Sequence, residues 1–202
     1  MRKHSSDRPI RTRIENAIKD SIRTQEGLLK GQVENIEKAA LVIIEALKKG
    51  GKLIVFGNGG SAADSQHVAA ELVGRFKLER KALPAISLTT DTSALTAIAN
   101  DYGYDRVFSR QLEALGNRGD VALGITTSGN SNNMIEAFKI AKLIGIKRIA
   151  LTGGDGGRIK NEADISIIVA SRDTPRIQES HATIGHIICS LIEDGIFKKI
   201  DE

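Results

Sequence analysis

The stretch that decides the fold is Leu53-Ile54-Val55-Phe56-Gly57-Asn58-Gly59-Gly60-Ser61-Ala62-Ala63-Asp64-Ser65-Gln66-His67-Val68-Ala69-Ala70-Glu71. A short apolar run runs into a glycine-rich turn, and the turn runs into a helix. Backbone amides at such a turn can reach an anion, and the helix N-terminus adds favourable positive potential. His67 and Glu71 are four residues apart, only about 40° around a helix, so they share a face. By itself that pair reads more often as a surface ion pair than as a metal or proton-transfer site. A phosphate cradle beside a possible acid–base pair points to chemistry on a phosphorylated small molecule.

Outward from this stretch, apolar, β-branched runs recur at Leu53–Phe56, Pro84–Leu88, Val121–Thr126, Arg148–Thr152 and Ile165–Val169. Helical segments separate the first four, and a shorter turn or helix around Gly156–Glu162 precedes the fifth. Continuous rather than alternating apolar runs indicate strands buried on both faces, hence a parallel sheet covered by helices. The expected fold class is α/β: a three-layer α/β/α, Rossmann-like domain with a five-stranded parallel sheet over residues 51–202. Residues 1–50 form a helical N-terminal extension. There, Ile10, Ile14, Ala17, Ile18 and Ile22 give a narrow apolar stripe, and Gly31 offers a break. Val33, Ile36, Ala40, Ile43, Ile44 and Leu47 then face inward on a second helix that stops at Gly50-Gly51. The narrow stripe suits packing against another subunit or a simple cap over the sheet. Thr174 is the expected N-cap of the last helix and Pro175 its first residue, with Ile177, Ile184, Ile188, Leu191 and Ile192 inward. Met1–Asp7 is polar and reads as a loose tail.

Composition narrows the function. The 202 residues can bury a real core. With no tryptophan and few other aromatics, that core rests on Ile, Leu, Val and Ala. The formal charge of +4 is mild and spread out, and no aromatic residues interleave with basic ones to stack bases, so nucleic acid is not an expected partner. Cys189 is the single cysteine, which excludes an intrachain disulfide and fits a reducing compartment. Flanked by Ile188 and Leu191, it is expected to be buried and inert. There is no 18-residue apolar run and no signal-peptide pattern, so the expectation is a cytoplasmic protein without a membrane partner.

In open α/β sheets ligands bind beyond the carboxyl ends of the strands. Gly57, Gly59 and Ala62 make a G-x-G-x-x-A form, but the acidic residue that dinucleotide binding expects about 20 positions on is missing. No G-x-x-x-x-G-K-[ST] motif occurs, which argues against a P-loop. Asn58 and Ser61 instead suit a polar ligand. After the third strand, Thr126-Thr127-Ser128-Gly129-Asn130-Ser131 places four hydroxyls at a helix start. That loop can bind one phosphate without a lysine, whereas helix capping alone explains one such residue. Ala99-Asn100-Asp101-Tyr102-Gly103 reads as a third loop, its Asn/Asp pair available to sugar hydroxyls or simply turn-forming.

The last helix adds Gln178, His181 and His186. The two histidines are about 140° apart and do not easily share a site; spacing alone does not choose between them. A His/Glu pair and a Gln/His pair on two helices would suit a divalent cation such as zinc.

Taken together, these residues resemble a known family. Asn58-Gly59-Gly60-Ser61-Ala62-Ala63-Asp64, followed by Gln66-His67 and Ala70-Glu71-Leu72, is similar to the signature of sedoheptulose 7-phosphate isomerases, or phosphoheptose isomerases, of the sugar-isomerase (SIS) domain superfamily. Ala99-Asn100-Asp101, Thr127-Ser128-Gly129-Asn130-Ser131, Leu151-Thr152-Gly153 with Asp155-Gly156-Gly157, and Arg176-Ile177-Gln178-Glu179 match in order. The resemblance spans nearly the whole chain. Thr126 stands where the family commonly has serine, and the hydroxyl is kept.

The resemblance implies conversion of sedoheptulose 7-phosphate to D-glycero-D-manno-heptose 7-phosphate, the first step towards ADP-heptose and commonly lipopolysaccharide. It implies zinc held by His67, Glu71, Gln178 and His186, and Glu71 and His186 as the catalytic acid–base pair. Contacts to a phosphorylated seven-carbon sugar would come from Asn58, Gly59, Gly60, Ser61, Glu71, Asn100, Asp101, Thr126, Thr127, Ser128, Ser131 and Gln178. A homotetramer built partly from the N-terminal helices is also implied. The alternative is a non-enzymatic SIS-domain regulator that binds the replication initiator protein. That paralogue lacks acid–base residues at the positions of Glu71 and His186, and this chain has both.

Overall fold

A computed structural model describes residues 9–198; the Met1–Asp7 tail lies outside the described residues. The five strands are β1 (Leu53–Gly57), β2 (Ala85–Ser87), β3 (Val121–Thr126), β4 (Lys147–Gly153) and β5 (Ile165–Val169). They form one all-parallel sheet in the order β2-β1-β3-β4-β5. β1 and β3 are buried at every position, as continuous apolar runs require of strands covered on both sides.

The helices are α1 (Ile10–Gly31), α2 (Val33–Lys48), α3 (Gly60–Val73), α4 (Thr92–Tyr102), α5 (Ser109–Leu115), α6 (Asn132–Ile144) and α7 (Thr174–Phe197). Two apolar cores result, one per sheet face. On one face, Ile36 and Ile43 of α2, Val68 and Leu72 of α3, and Ile184, Ile188 and Ile192 of α7 meet Leu53, Val55, Leu123 and Leu151. On the other, Leu112 of α5 and Met134, Phe138 and Ala141 of α6 meet Ile54, Phe56, Ala122 and Ala150. Phe56 anchors this second core, its ring 5.2 Å from Phe108 and 6.1 Å from Phe138.

Four local readings are corrected. Val33, at the first turn of α2, and Leu191, on the outer side of α7, are exposed rather than inward. Asp173, in extended backbone, occupies the N-cap of α7, so Thr174 is the first helical residue and Pro175 the second. Pro at either of these positions costs nothing, because the first N–H groups of a helix have no intrahelical acceptor. Asn100 and Asp101 do not lie in a loop. They form the last turn of α4, which ends at Gly103 with φ of 85°.

α1 lies across the domain by its polar side. Gln25 donates to Ser180 and Thr183 Oγ1 at 3.5 and 3.3 Å, and Arg176 donates to the Ala17 carbonyl at 2.9 Å. Its isoleucines Ile10, Ile14, Ile18 and Ile22 remain 53–75% exposed along one side of the helix.

Candidate active site

Strand order fixes where the site is. β1 and β3 are neighbours, with Gly57 in register with Ile125, and the chain leaves β1 towards one edge and β3 towards the other. The crevice beyond this reversal is where open α/β sheets bind ligands. The two loops singled out by composition, Gly57–Ser61 and Thr126–Ser131, both open there.

The first loop is held from beneath. Asn58 and Asn133 exchange amide hydrogen bonds of 3.0 and 2.9 Å, and the Tyr104 hydroxyl donates to Asn58 Oδ1 at 3.1 Å. Asn133 is only 2% exposed, so the Asn58 amide orientation is set by a buried partner. Ser61, at the start of α3, is buried. A Cβ at Gly60 would sit 2.3 Å from Gln178 Nε2, so a side chain there would push the Gln178 amide away. The glycine therefore lets α7 deliver Gln178 to the N-terminus of α3.

The second loop divides its hydroxyls between structure and solvent. Thr126 Oγ1 is buried and accepts from the Gly129 N–H at 3.3 Å, and Ser128 Oγ accepts from the Asn130 N–H at 3.2 Å. Ser131 occupies the N-cap of α6 without a side-chain capping bond, which leaves its hydroxyl available. Gly129 meets the Gly156 carbonyl so closely that a Cβ would lie 2.2 Å from it, locking the loop to the turn after β4. A cleft of about 360 Å³ opens beside Thr127 and Ser128, bordered by Gly153, Asp155 and Arg172. Asn100 and Asp101 are exposed and bonded to each other at 2.8 Å.

A further cluster of candidate site residues is made of side chains on two helices. His67 and Glu71 of α3 and His186 of α7 bring one ligand atom each to within 4.8 Å of one another. His67 Nε2 is 2.8 Å from His186 Nε2 and 3.4 Å from Glu71 Oε1. Two imidazole nitrogens and a carboxylate aimed at one point, from rigid helices, make a donor set suited to a divalent cation of the zinc type. His67 is half exposed and Glu71 partly buried, with side-chain exposures of 52% and 21%, so the group is reachable by a ligand. Gln178 is two turns away from His186 along α7, about 12 Å of helix rise, and lies against Gly60.

His181 goes elsewhere. It is 2% exposed, burial pushes its pKa down to about 4 with only a partial offset from the Thr152 backbone, and neither ring nitrogen has a hydrogen-bond partner of good geometry. It is a neutral core residue. Cys189 is buried, and its thiol is pushed up to about 12, first by burial and then by the Glu71 and Glu193 charges.

Sequence reading missed Asp64, Asn133 and Tyr104. Asp64 lies one turn before His67, and its buried Oδ2 has no partner. Burial holds its carboxyl above the usual range, against an opposing influence from His67. The i, i+3 spacing of Asp64 and His67 was the one available signal; nothing local announces that Asn133 and Tyr104 reach Asn58.

With this geometry established, likeness to known proteins is informative. The SIS domain profile matches residues 18–153. The phosphoheptose isomerase of Clostridium acetobutylicum is 55% identical over 94% of this chain and 98% of its own length. The chain belongs to the phosphoheptose isomerase family of SIS-domain proteins. Solved structures agree. The phosphoheptose isomerase of Neisseria gonorrhoeae is 46% identical and superposes with a TM-score of 0.88 over 92% of this chain and all of that one. The Francisella tularensis phosphoheptose isomerase is 38% identical with a TM-score of 0.90 over 93% of this chain and all of that one. The regulator reading is not favoured, since these SIS-domain relatives are isomerases and this chain holds ligand atoms of Glu71 and His186 within 4.8 Å of each other.

Proposed function

We infer that this phosphoheptose isomerase family member converts sedoheptulose 7-phosphate to D-glycero-D-manno-heptose 7-phosphate, the first step towards a heptose precursor. The observation that carries this reading is the convergence of His67, Glu71 and His186, the first two on the helix that begins at the Gly57–Ser61 loop. Aldose–ketose exchange requires a proton to leave one of C1 and C2 and return to the other through an enediol, with charge developing on the oxygens. Thr127, Ser128 and Ser131, with Ser61 and the loop amides, would bind the phosphate and so orient the far end of the sugar. Thr126 contributes by shaping that loop through Gly129. Asn58, Gly59, Gly60, Asn100 and Asp101 would line the path of the hydroxyls. Glu71 and His186 would take and return the proton.

The His67, Glu71 and His186 donors fit a divalent metal, and we propose zinc, one per subunit. A bound metal of this kind supplies polarisation of the carbonyl and hydroxyl oxygens. Gln178 was expected as a fourth ligand and as a substrate contact; its place against Gly60 supports the substrate contact better. We further propose that residues 1–50 serve assembly, with the exposed isoleucines of α1 buried in a homotetramer, and that the protein is cytoplasmic. Among the described residues, no helix is long and apolar enough to cross a membrane.

Metal analysis and stripping test the proposal. The purified protein is expected to carry about one zinc per subunit, to lose isomerisation of sedoheptulose 7-phosphate on dialysis against a chelator, and to regain it with added zinc. Full activity in a metal-free preparation contradicts the metal assignment, while an inert metal-loaded protein contradicts the reaction.

A further inference from the structure

We propose that Phe76 is a positioning residue for His186, set in place by the buried Arg80–Glu193 pair; the inference rests on the isomerase reading above. The Phe76 ring stacks on the His186 imidazole, with centroids 5.5 Å apart and planes 18° from parallel. His67 meets the same imidazole edge-on, centroids 5.1 Å apart. His186 is solvent-exposed, and an exposed side chain without such a contact exchanges rotamers within nanoseconds. The flat face of Phe76 removes that freedom while leaving Nε2 directed at His67.

Phe76 is itself fixed by a dense polar network. The Glu193 carboxylate accepts from the backbone N–H groups of Phe76, Lys77 and Leu78 at 3.0, 2.9 and 3.0 Å, and from Arg80 Nε at 2.9 Å. Both side chains are almost wholly buried, at 1% for Glu193 and 2% for Arg80. A buried ion pair is no evidence of net stability, but a fully satisfied one specifies geometry. Arg80 also donates to the carbonyls of Glu71 and Leu72 at 2.7 Å each. These are last-turn carbonyls of α3, which lack intrahelical donors, and a cation there suits the negative end of the helix. Glu193 follows His186 by seven residues, about 20° from the same line along α7. One face of α7 therefore presents both His186 and the carboxylate that holds the loop stacked upon it, while Arg80 steadies the turn that carries Glu71. Lys77, with Nζ 5.3 Å from the Phe76 centroid, closes the outer side.

Phe76→Leu keeps an apolar side chain but not a flat one, and Phe76→Tyr keeps the ring. The Leu variant is expected to lower kcat for sedoheptulose 7-phosphate about tenfold, the scale seen when residues supporting a site's ligands are lost, with KM within about twofold. The NOE between the His67 and His186 rings, which lie 5.1 Å apart, should weaken in the Leu variant as fast rotamer exchange spreads the His186 ring over several positions, and the Tyr variant should restore both. A Leu variant with wild-type kcat and an undiminished His67–His186 NOE overturns the proposal, as does a loss confined to KM and thermal stability. If the wild type itself does not isomerise the sugar, the functional reading fails, and the His67–His186 NOE still decides whether Phe76 positions the ring.

Discussion

Two histidines five residues apart on α7 meet opposite environments, and the contrast separates what builds this protein from what it uses. His181 points into the sheet, beside Thr152, where burial keeps it neutral with a pKa near 4. His186 points outward to meet His67 and Glu71. The same helix thus contributes a packing residue from one turn and a reactive one from the next, because 140° of rotation carries the chain from core to crevice. A histidine gains a function here through convergence with other donors, not through burial.

The largest expected effect breaks the active side of the comparison. His186→Gln should lower kcat at least about 10²-fold, the usual scale for a lost acid–base group, with an unchanged circular dichroism spectrum and melting temperature. Next, the phosphate loop should act on binding. Thr127→Ala combined with Ser131→Ala removes two hydroxyl contacts to an anion, worth about 1.5–3 kcal/mol each. KM should rise at least tenfold while kcat for bound substrate falls less, as steady-state kinetics would reveal.

The structural side should appear only in stability. In the unfolded chain His181 titrates near 6.5, whereas in the fold it titrates near 4, so the unfolded state binds more protons between these values. Stability should therefore fall as pH drops from about 6.5 to 4, by up to about 3 kcal/mol from this residue. His181→Met should flatten that part of the urea-midpoint profile and leave kcat within about twofold at pH 7.5. The smallest pH-dependent effect concerns Glu193. Burial raises its pKa, but the N–H groups of Lys77, Phe76 and Leu78, with Arg80, more than compensate and hold it below the ordinary value. Its charge-linked contribution is present above the unfolded carboxylate pKa and is lost as pH falls further. Glu193→Gln should therefore flatten the acid limb of the profile below about pH 4.5, beyond the general destabilisation of leaving Arg80 buried without its counter-charge.

Much of this was legible in the chain. The strand runs, the glycine turn after Phe56 and the hydroxyl cluster after Ile125 follow from local composition, and parallel pairing places both loops at one end of the sheet. Spacing brought His67 and Glu71 onto one face but left His181 and His186 undecided, since angles within one helix do not say which side meets the sheet. Resemblance to the family chose His186, and the His67–His186 contact is the tertiary fact behind that choice. Asp64 was passed over because an acid among alanines and serines reads as a helix-surface residue until neighbouring elements bury it. Asn133 and Tyr104 act on Asn58 from 75 and 46 residues away, beyond any local pattern. The Phe76–Glu193 network was hidden for the same reason.

Glu71 lies in the converging group, at a position where the family's regulatory paralogue is expected to lack an acid–base residue. Its direct test is turnover of sedoheptulose 7-phosphate by the wild-type and Glu71→Gln proteins, followed by the appearance of the aldose anomeric proton in the NMR spectrum. The wild type should form the aldose product, and the folded Glu71→Gln protein should do so at least about 10²-fold more slowly. Near-equal rates in the two proteins would contradict the account.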